Sequence, residues 1–149
     1  DRMFDEGLYW HGNEPCHQIA YLYNKAGAPW KTQQRIHHIL NTEYNDTPGG
    51  LSGNDDAGQM SAWYMFSAIG FYPVCPATPY YYIGTPSFDK VTFNLENGRK
   101  FEIVAEGVDD ENFYIQQVDL NGKSGYYLSH DDLLKGGKLS FRMGNSPKY

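Results

Sequence analysis

Cysteine and long apolar runs are both scarce in this sequence of 149 residues. The two cysteines, Cys16 and Cys75, form no CxxC pair, so the sequence indicates neither a zinc site nor a disulfide framework, and it leaves a single bridge between them open. The longest apolar run, residues 60–71, is interrupted by serine and glycine and is shorter than the roughly 20 residues that a membrane helix needs. No membrane span is therefore predicted.

Basic residues are also few, and they are dispersed along a chain whose formal net charge is -6. Proteins that bind nucleic acid usually present a basic face, so no nucleic-acid partner is expected. The sequence contains no GxSxG, GxGxxG or P-loop pattern, which removes support for a serine hydrolase or a nucleotide-binding protein. It also has no initiator methionine and no leader pattern in residues 1–10, so we expect a piece of a longer protein.

Aromatic residues, by contrast, are abundant at 16% of the chain, and tyrosine is the commonest of them. These rings have two interpretations. They can pack in a core or on a sheet, or some of them can line a groove for sugar rings, whose apolar faces stack on aromatic side chains.

The first half of the chain has the apolar spacing of three helices. The first is predicted over residues 15–26, with Pro15 in its first turn and Gly27 as its stop. The second is predicted from a Thr32 cap to residue 44. The third, residues 60–69, is apolar nearly all round, so we expect it to be buried among other helices.

Three prolines in residues 73–79 end the helical pattern, and alternating apolar residues follow. Residues 91–95 and 101–105 flank an Asn-Gly turn and predict a β-hairpin, and further strands are predicted at residues 114–120 and 139–143. The predicted fold class is α+β, with helices in residues 1–75 and an antiparallel sheet in residues 76–149.

Two polar clusters carry the candidate chemistry, and each lies at the N-terminal edge of a predicted helix. They are residues 11–17 (HGNEPCH) and residues 53–56 (GNDD). Their Asn, Asp and Glu oxygens are ligands that Ca²⁺ prefers, and Ca²⁺ tolerates the irregular geometry of loops. A shared calcium site is one hypothesis, although the acidic loop does not match the EF-hand pattern.

Each cluster also has a purely structural interpretation. Asp56 followed by Gln59 three residues later has the spacing of a capping box, in which the carboxylate accepts backbone N–H groups at the start of a helix. Asn13 and Glu14 can form a turn that leads into Pro15, with Glu14 favourably placed against the positive helix end. The sequence leaves both interpretations open.

The histidines divide into two groups. His37 and His38 are adjacent within the second predicted helix and are interpreted as surface or packing residues. His11 lies beside Trp10 and next to the first polar cluster, and an imidazole and an indole in such a place suit a hydroxyl-rich ligand. Core packing remains the alternative for His11.

Four segments of the sequence closely resemble the C-terminal part of glycoside hydrolase family 92: residues 11–17 (HGNEPCH), 27–32 (GAPWKT), 53–63 (GNDDAGQMSAW) and 70–74 (GFYPV). Members of that family are calcium-dependent, exo-acting α-mannosidases that invert the anomeric configuration. They have an N-terminal β-sandwich and a C-terminal (α/α)₆ barrel. The resemblance implies that this chain supplies the last barrel helices and the terminal strands beside them.

The resemblance also assigns roles to residues of the two clusters. The general base corresponds to Asp56, with Asp55 as the second candidate. Some relatives carry an Asp where this chain has Asn54, which is expected to contact substrate instead. Asn13 and Glu14 are the expected calcium ligands or their neighbours.

Trp10 and His11 are the remaining expected substrate contacts. The general acid of the family is a Glu in a motif upstream of this segment, and the surroundings of Glu6 do not resemble that motif. The chain alone is therefore expected to be inactive. Its expected partners are an α-mannoside glycan and the remainder of the parent enzyme, in the periplasm or at the cell surface. A carbohydrate-binding module and a purely structural fragment are the alternatives.

Overall fold

A computed structural model describes Phe4, residues 6–122 and residues 125–149. These residues form four α-helices: α1 (Leu22–Lys25), α2 (Pro29–Thr42), α3 (Gln59–Ile69) and α4 (His130–Leu134). Two 3₁₀ turns precede α1, at Glu14–Cys16 and Ile19–Tyr21. Within the described part of the chain, no helix has the length and apolarity needed to cross a membrane.

Within residues 6–122 and 125–149, seven strands form two sheets, which confirms the α+β class. The first sheet is antiparallel and has the order β1-β2-β6, and the second has the order β3-β4-β7-β5. The strands are β1 (Phe71–Tyr72), β2 (Tyr80–Ile83), β3 (Lys90–Asn94), β4 (Lys100–Glu106), β5 (Tyr114–Leu120), β6 (Tyr127–Ser129) and β7 (Gly137–Gly144).

The helix predicted over residues 15–26 is broken into the two 3₁₀ turns and α1. In a continuous α-helix the carbonyl of His17 would accept the N–H of Tyr21. Here that carbonyl accepts the indole Nε1–H of Trp63 at 3.0 Å, and the Tyr21 N–H donates to the Gln18 carbonyl instead. A side chain from α3 therefore replaces one helical hydrogen bond. Gly27 ends the segment with φ 73°, as predicted.

The second helix begins earlier than predicted. Pro29 occupies its first turn, where a fixed φ and a missing N–H fit a helix start, and Thr32 lies buried inside the helix. The prediction that Thr32 caps this helix is therefore wrong. The helix ends at Thr42, two residues before the predicted end.

The third helix forms where it was predicted, but only one side of it is buried by the described residues. Met60, Trp63 and Ile69 face the interior, whereas Ser61 and Met65 are exposed, Met65 by 61%. The expectation that helices surround this segment is met on one side only.

The predicted hairpin is confirmed as β3 and β4, but the sheet that contains it is not wholly antiparallel. β7 lies between β4 and β5 and pairs with β4 in parallel, with Phe101 opposite Gly137. Between β5 and β7 the chain passes through β6 and α4. It then enters β7 from the end of the sheet at which β4 also begins. Its pairing with β5 is antiparallel and contains an irregularity at residues 115–117.

The helices and the strands pack on each other through two cores. One is formed mainly by the four-stranded sheet and the other by the helices with Tyr72 and Tyr82. A polar link joins the layers, because the buried Gln33 of α2 accepts the Ile115 N–H of β5 through Oε1 at 3.0 Å. A second link runs from Asn24 Nδ2 to the carbonyl of Ile83, at 2.8 Å. The predicted division between residues 75 and 76 falls in the loop between β1 and β2.

Candidate functional site

The two polar clusters lie on loops that touch each other. We call residues 10–17 the first loop and residues 52–58 the second loop. A Cβ on Gly53 would lie 2.7 Å from the Cα of Gly12, and a Cβ on Gly12 would lie 2.7 Å from the carbonyl oxygen of Ser52. Trp10 donates its indole N–H to that same carbonyl at 3.2 Å, although its ring is 59% exposed. The structure therefore brings together the loops that carry the predicted site residues.

His11 lies beneath this contact, fully buried, and both of its ring nitrogens are used by tyrosines. Tyr44 donates its hydroxyl proton to the carbonyl of Met60 at 3.1 Å, so its oxygen accepts from His11 Nε2–H at 2.6 Å. Nδ1 must then accept from the Tyr9 hydroxyl at 2.8 Å. Burial, reinforced by neighbouring His17, lowers the pKa of His11 to about 3, so the ring is neutral at pH 7.

This arrangement leaves no nitrogen of His11 for a sugar hydroxyl. In the described structure its ring joins the first loop to Tyr44, which follows α2, and through Tyr44 to Met60 of α3. Substrate contact by His11 stays a prediction. The core-packing interpretation therefore describes its geometry.

His17 connects the first loop to the helix that follows the second loop. Its Nε2–H donates to the carbonyl of His11 at 2.9 Å, so Nδ1 accepts from Gln59 Nε2 at 3.3 Å. Gln59 Nε2 also donates to the Tyr72 hydroxyl at 3.3 Å. Burial lowers the pKa of His17, which keeps the ring neutral. Because the Gln59 amide is directed to these rings, the capping box between Asp56 and Gln59 is not formed.

Asp55 is the residue that caps α3. Its Oδ1 accepts both the backbone N–H and the hydroxyl of Ser61, each at 2.8 Å. Ser61 lies in the first turn of α3, where backbone N–H groups have no partner within the helix. The carboxylate predicted to be the alternative base is therefore bonded to the helix, and it is half-buried.

Asp56 is exposed and lies on left-handed backbone. The φ angles of Asp56, Ala57 and Gly58 are 48°, 57° and 96°. For a residue other than glycine this conformation is unfavourable by about 1–3 kcal/mol, and such strain is found most often at functional sites. Asn54 Oδ1 accepts the Asp56 N–H at 3.3 Å, so Asn54, predicted as a substrate contact, also stabilises the turn.

Oxygen-bearing side chains on both loops are of the right kind for Ca²⁺. Asn13 is exposed and Glu14 is half-buried on the first loop, and Asn54 and Asp56 are exposed on the second. However, among the described residues no group of three His, Cys, Asp or Glu is placed to hold a metal ion. The donors thus fit a hard cation in chemistry but form no complete ligand set.

A largely apolar pocket of about 490 Å³ lies on the exposed side of α3, next to the second loop. Its lining includes Tyr44, Leu51, Ser61, Tyr64 and Met65. Ser61 connects the pocket to the Asp55 carboxylate, and Tyr44 connects it to His11.

Both cysteines, Cys16 and Cys75, are free, so the bridge left open by the sequence is not formed.

Sequence reasoning missed the residues that join the two loops. These residues are Tyr9, Tyr44 and Gln59, which form hydrogen bonds to His11 or His17. The histidine in each bond is 2 to 42 positions away in the sequence. The available signal was the pairing of a glycine with a polar run in each cluster, since Gly12 and Gly53 permit the close backbone approach.

The chain is similar in sequence and fold to known proteins. An alpha-mannosidase of family GH92 from Bacteroides thetaiotaomicron superposes with a TM-score of 0.91 and 49% identity, over 96% of this chain and 20% of that protein. A family GH92 inverting mannosidase of the same species gives 0.88 and 44%, over 96% and 20%. An uncharacterized secreted glycosidase of the fungus Arthroderma benhamiae is 33% identical over 97% of this chain and 19% of its own length.

The chain therefore spans about a fifth of the length of these relatives. The profile of the glycosyl hydrolase family 92 catalytic domain matches residues 1–145, which is nearly the whole sequence. With two loops of the expected composition in contact and the fold shared with these enzymes, the chain belongs to glycosyl hydrolase family 92.

Proposed function

We propose that this chain is part of an inverting, calcium-dependent exo-α-mannosidase that hydrolyses terminal α-mannosides of glycans. The observation that supports the proposal most is the contact between the two loops at Gly12 and Gly53, which joins the loop of Asn13 and Glu14 to the loop of Asp56. The proposal also rests on membership of the family and on the alpha-mannosidases among the structural relatives.

Asp56 is the proposed general base. Its carboxylate takes a proton from a water molecule, whose oxygen attacks the anomeric carbon from the side opposite the leaving group. The glycosidic bond breaks at the same time, and the leaving oxygen receives a proton from a carboxylic acid. In inverting glycosidases these two carboxyl groups stand about 6.5–9.5 Å apart, which leaves room for the water. The exposed position of Asp56 suits this role.

The proposed acid lies outside this chain, because no motif near Glu6 matches it. The isolated chain is therefore proposed to be inactive. We further propose that α1, α2 and α3 are the last helices of an (α/α)₆ barrel completed by the remainder of the parent protein. The exposed side of α3 around Met65 supports that arrangement. The secreted glycosidase among its relatives supports an exported protein, in the periplasm or outside the cell.

Calcium is proposed to be held by Asn13 and Glu14, with the remaining ligands supplied from outside the described residues. When bound, the ion would supply Lewis-acid polarisation and orientation of two neighbouring sugar hydroxyls. Trp10, with its ring exposed and its indole N–H fixed on Ser52, offers an apolar face to the same sugar. Asn54, exposed beside Asp56, is the proposed polar contact.

The test is hydrolysis of an aryl α-mannoside by the full-length protein, followed by proton NMR of the released sugar. We expect β-mannose as the first product, which then mutarotates. Asp56→Asn should lower kcat by about 10²–10⁴-fold, the range for loss of a general base. Asp89→Asn, a matched change at an exposed position outside both loops and the pocket, should retain activity.

Two results would contradict the proposal. Initial release of α-mannose would exclude inversion, and full activity of Asp56→Asn would remove Asp56 from the chemistry. Loss of activity in both Asp56→Asn and Asp89→Asn would show a general loss of folding, which thermal unfolding of each variant would reveal.

A further inference from the structure

The conformation of the second loop requires a structural explanation. Asp56, Ala57 and Gly58 are left-handed in succession, and only the last of them is a glycine. Two non-glycine residues keep such a conformation only where surrounding contacts determine it. A relaxed loop would direct the Asp56 carboxylate elsewhere, because a change of φ at a residue rotates the side chain that it carries.

Hydrogen bonds from Asp55 enclose this left-handed segment. The Asp55 carbonyl accepts the N–H of Gly58 and that of Met60, each at 3.2 Å, and its carboxylate Oδ1 accepts both donors of Ser61 at 2.8 Å. Residues 56–58 are thus closed into a ring between Asp55 and the first turn of α3. The carboxylate bonds are the shorter ones, and charge-assisted bonds of this kind are the stronger class.

We propose that Asp55 is a positioning residue that holds Asp56 in its left-handed conformation, and that Asp55 is not the base. This inference rests on the proposed function of Asp56. Oδ1 of Asp55 is bonded to two donors of Ser61, and Asp55 is half-buried, whereas Asp56 is exposed. The adjacent carboxylates therefore have different tasks: one shapes the loop and the other reacts.

Substitution by asparagine separates the two roles, since Asn keeps an oxygen acceptor at Oδ1 but cannot act as a base. In the full-length protein, Asp55→Ala should lower kcat by about 100-fold with KM changed less than about threefold, because misplacement of a reacting group affects the chemical step. Asp55→Asn should restore kcat to within about tenfold of the wild type, since only the charge of the acceptor is lost. Asp56→Asn, by contrast, should keep a low kcat, because an Asn at this position cannot act as a base.

Two further comparisons refine the test. Ser61→Ala removes one of the two donors to Asp55 and should lower kcat less than Asp55→Ala does. Ser61→Thr keeps the hydroxyl and should lower kcat less than Ser61→Ala does. Azide can replace the activated water as nucleophile, displacing the leaving group to give a β-mannosyl azide. It should therefore raise the activity of Asp56→Ala and should leave Asp55→Ala unchanged.

The inference is overturned if Asp55→Asn is as inactive as Asp56→Asn, if azide restores Asp55→Ala, or if Asp55→Ala keeps wild-type kcat. Crystal structures of Asp55→Ala and Asp55→Asn provide a readout that does not need activity. We expect residues 56–58 to leave the left-handed region in the first and to keep it in the second. Inactivity of the wild type on every α-mannoside would refute the proposed function, and these structures would still decide whether Asp55 holds the loop.

Discussion

Gly12 and Gly53 lie backbone against backbone, so close that a single methyl group on Gly53 would meet the Cα of Gly12 at 2.7 Å. Contacts at this distance are not tolerated by real Cβ atoms, and the neighbouring atom is main chain that cannot rotate away. The two glycines therefore set the spacing between the loop that carries Asn13 and Glu14 and the loop that carries Asp56. This relationship gives the first prediction.

Gly53→Ala should force the two loops apart. We expect it to lower the free energy of unfolding by about 1–3 kcal/mol, the usual effect of overpacking, and to lower activity of the full-length protein further than stability alone explains. Gly49→Ala is the matched control, because a Cβ there meets nothing within 4 Å. Urea unfolding of the three proteins measures the difference, and equal stability of both variants would show that the loops can separate freely.

The burial of neutral His11 predicts a loss of stability in acid. Its pKa is about 3 in the folded protein and 6.5 in an unfolded chain, so between these values the unfolded state binds the extra proton. The contribution of neutral His11 to the free energy of unfolding is complete above pH 6.5, and it decreases as the pH falls toward 3. A single such group lowers the free energy of unfolding by about 2 kcal/mol between pH 8 and pH 5.

Urea unfolding at pH 8 and pH 5 in calcium-free buffer measures this decrease. His11→Gln cannot titrate in this range, so its unfolding free energy should change less between the two pH values than that of the wild type. His17, whose pKa is also lowered by burial, contributes in the same direction and remains in the variant.

Gln33 offers a test of the link between the helical and strand layers. Gln33→Leu keeps the size of the side chain but leaves the buried Ile115 N–H without its acceptor. An unsatisfied buried donor lowers stability by about 1–3 kcal/mol. Gln34→Leu changes the exposed neighbour in the same way and should be nearly neutral. Thermal unfolding compares the pair, and equal melting temperatures would mean that the N–H of Ile115 finds another partner.

Calcium removal tests the metal assignment. A chelator should abolish hydrolysis by the full-length protein, and added Ca²⁺ should restore it. Glu14→Gln removes one charged ligand, so we expect the calcium concentration for half-maximal activity to rise by at least about tenfold. Glu111→Gln, exposed in the loop after β4, should leave the calcium dependence unchanged. An unchanged dependence in Glu14→Gln would remove Glu14 from the ligand set.

Local patterns predicted the elements whose partners are close in sequence. The alternation on both sides of Asn97 and Gly98 predicted the β3–β4 hairpin, and the spacing around Trp63 predicted α3. The broken first helix was not predictable in this way, because the bond that interrupts it comes from the Trp63 indole, 46 positions from the His17 carbonyl. The parallel pairing of β7 depends likewise on the route of the chain between strands.

At the site, too, local patterns predicted some features, and contacts between distant residues determined the others. Polar composition led to the two loops, and the family resemblance led to Asp56, Asn13 and Glu14. Composition could not distinguish Asp55 from Asp56, because the difference lies in the Ser61 donors and in the backbone φ angles. It also suggested a ligand contact for His11, whose position under the loops depends on tyrosines from different parts of the chain.

The central place of β7 in its sheet has a consequence for biosynthesis. The β3–β4 hairpin can form as soon as the ribosome has released it, but β5 borders only β7 and has no neighbour in that sheet until Gly137–Gly144 has emerged. Leu139, Phe141 and Met143 then enter the core together. Until that moment the core of this sheet lacks these three side chains, so a stalled or prematurely terminated chain would present apolar surface to chaperones and proteases.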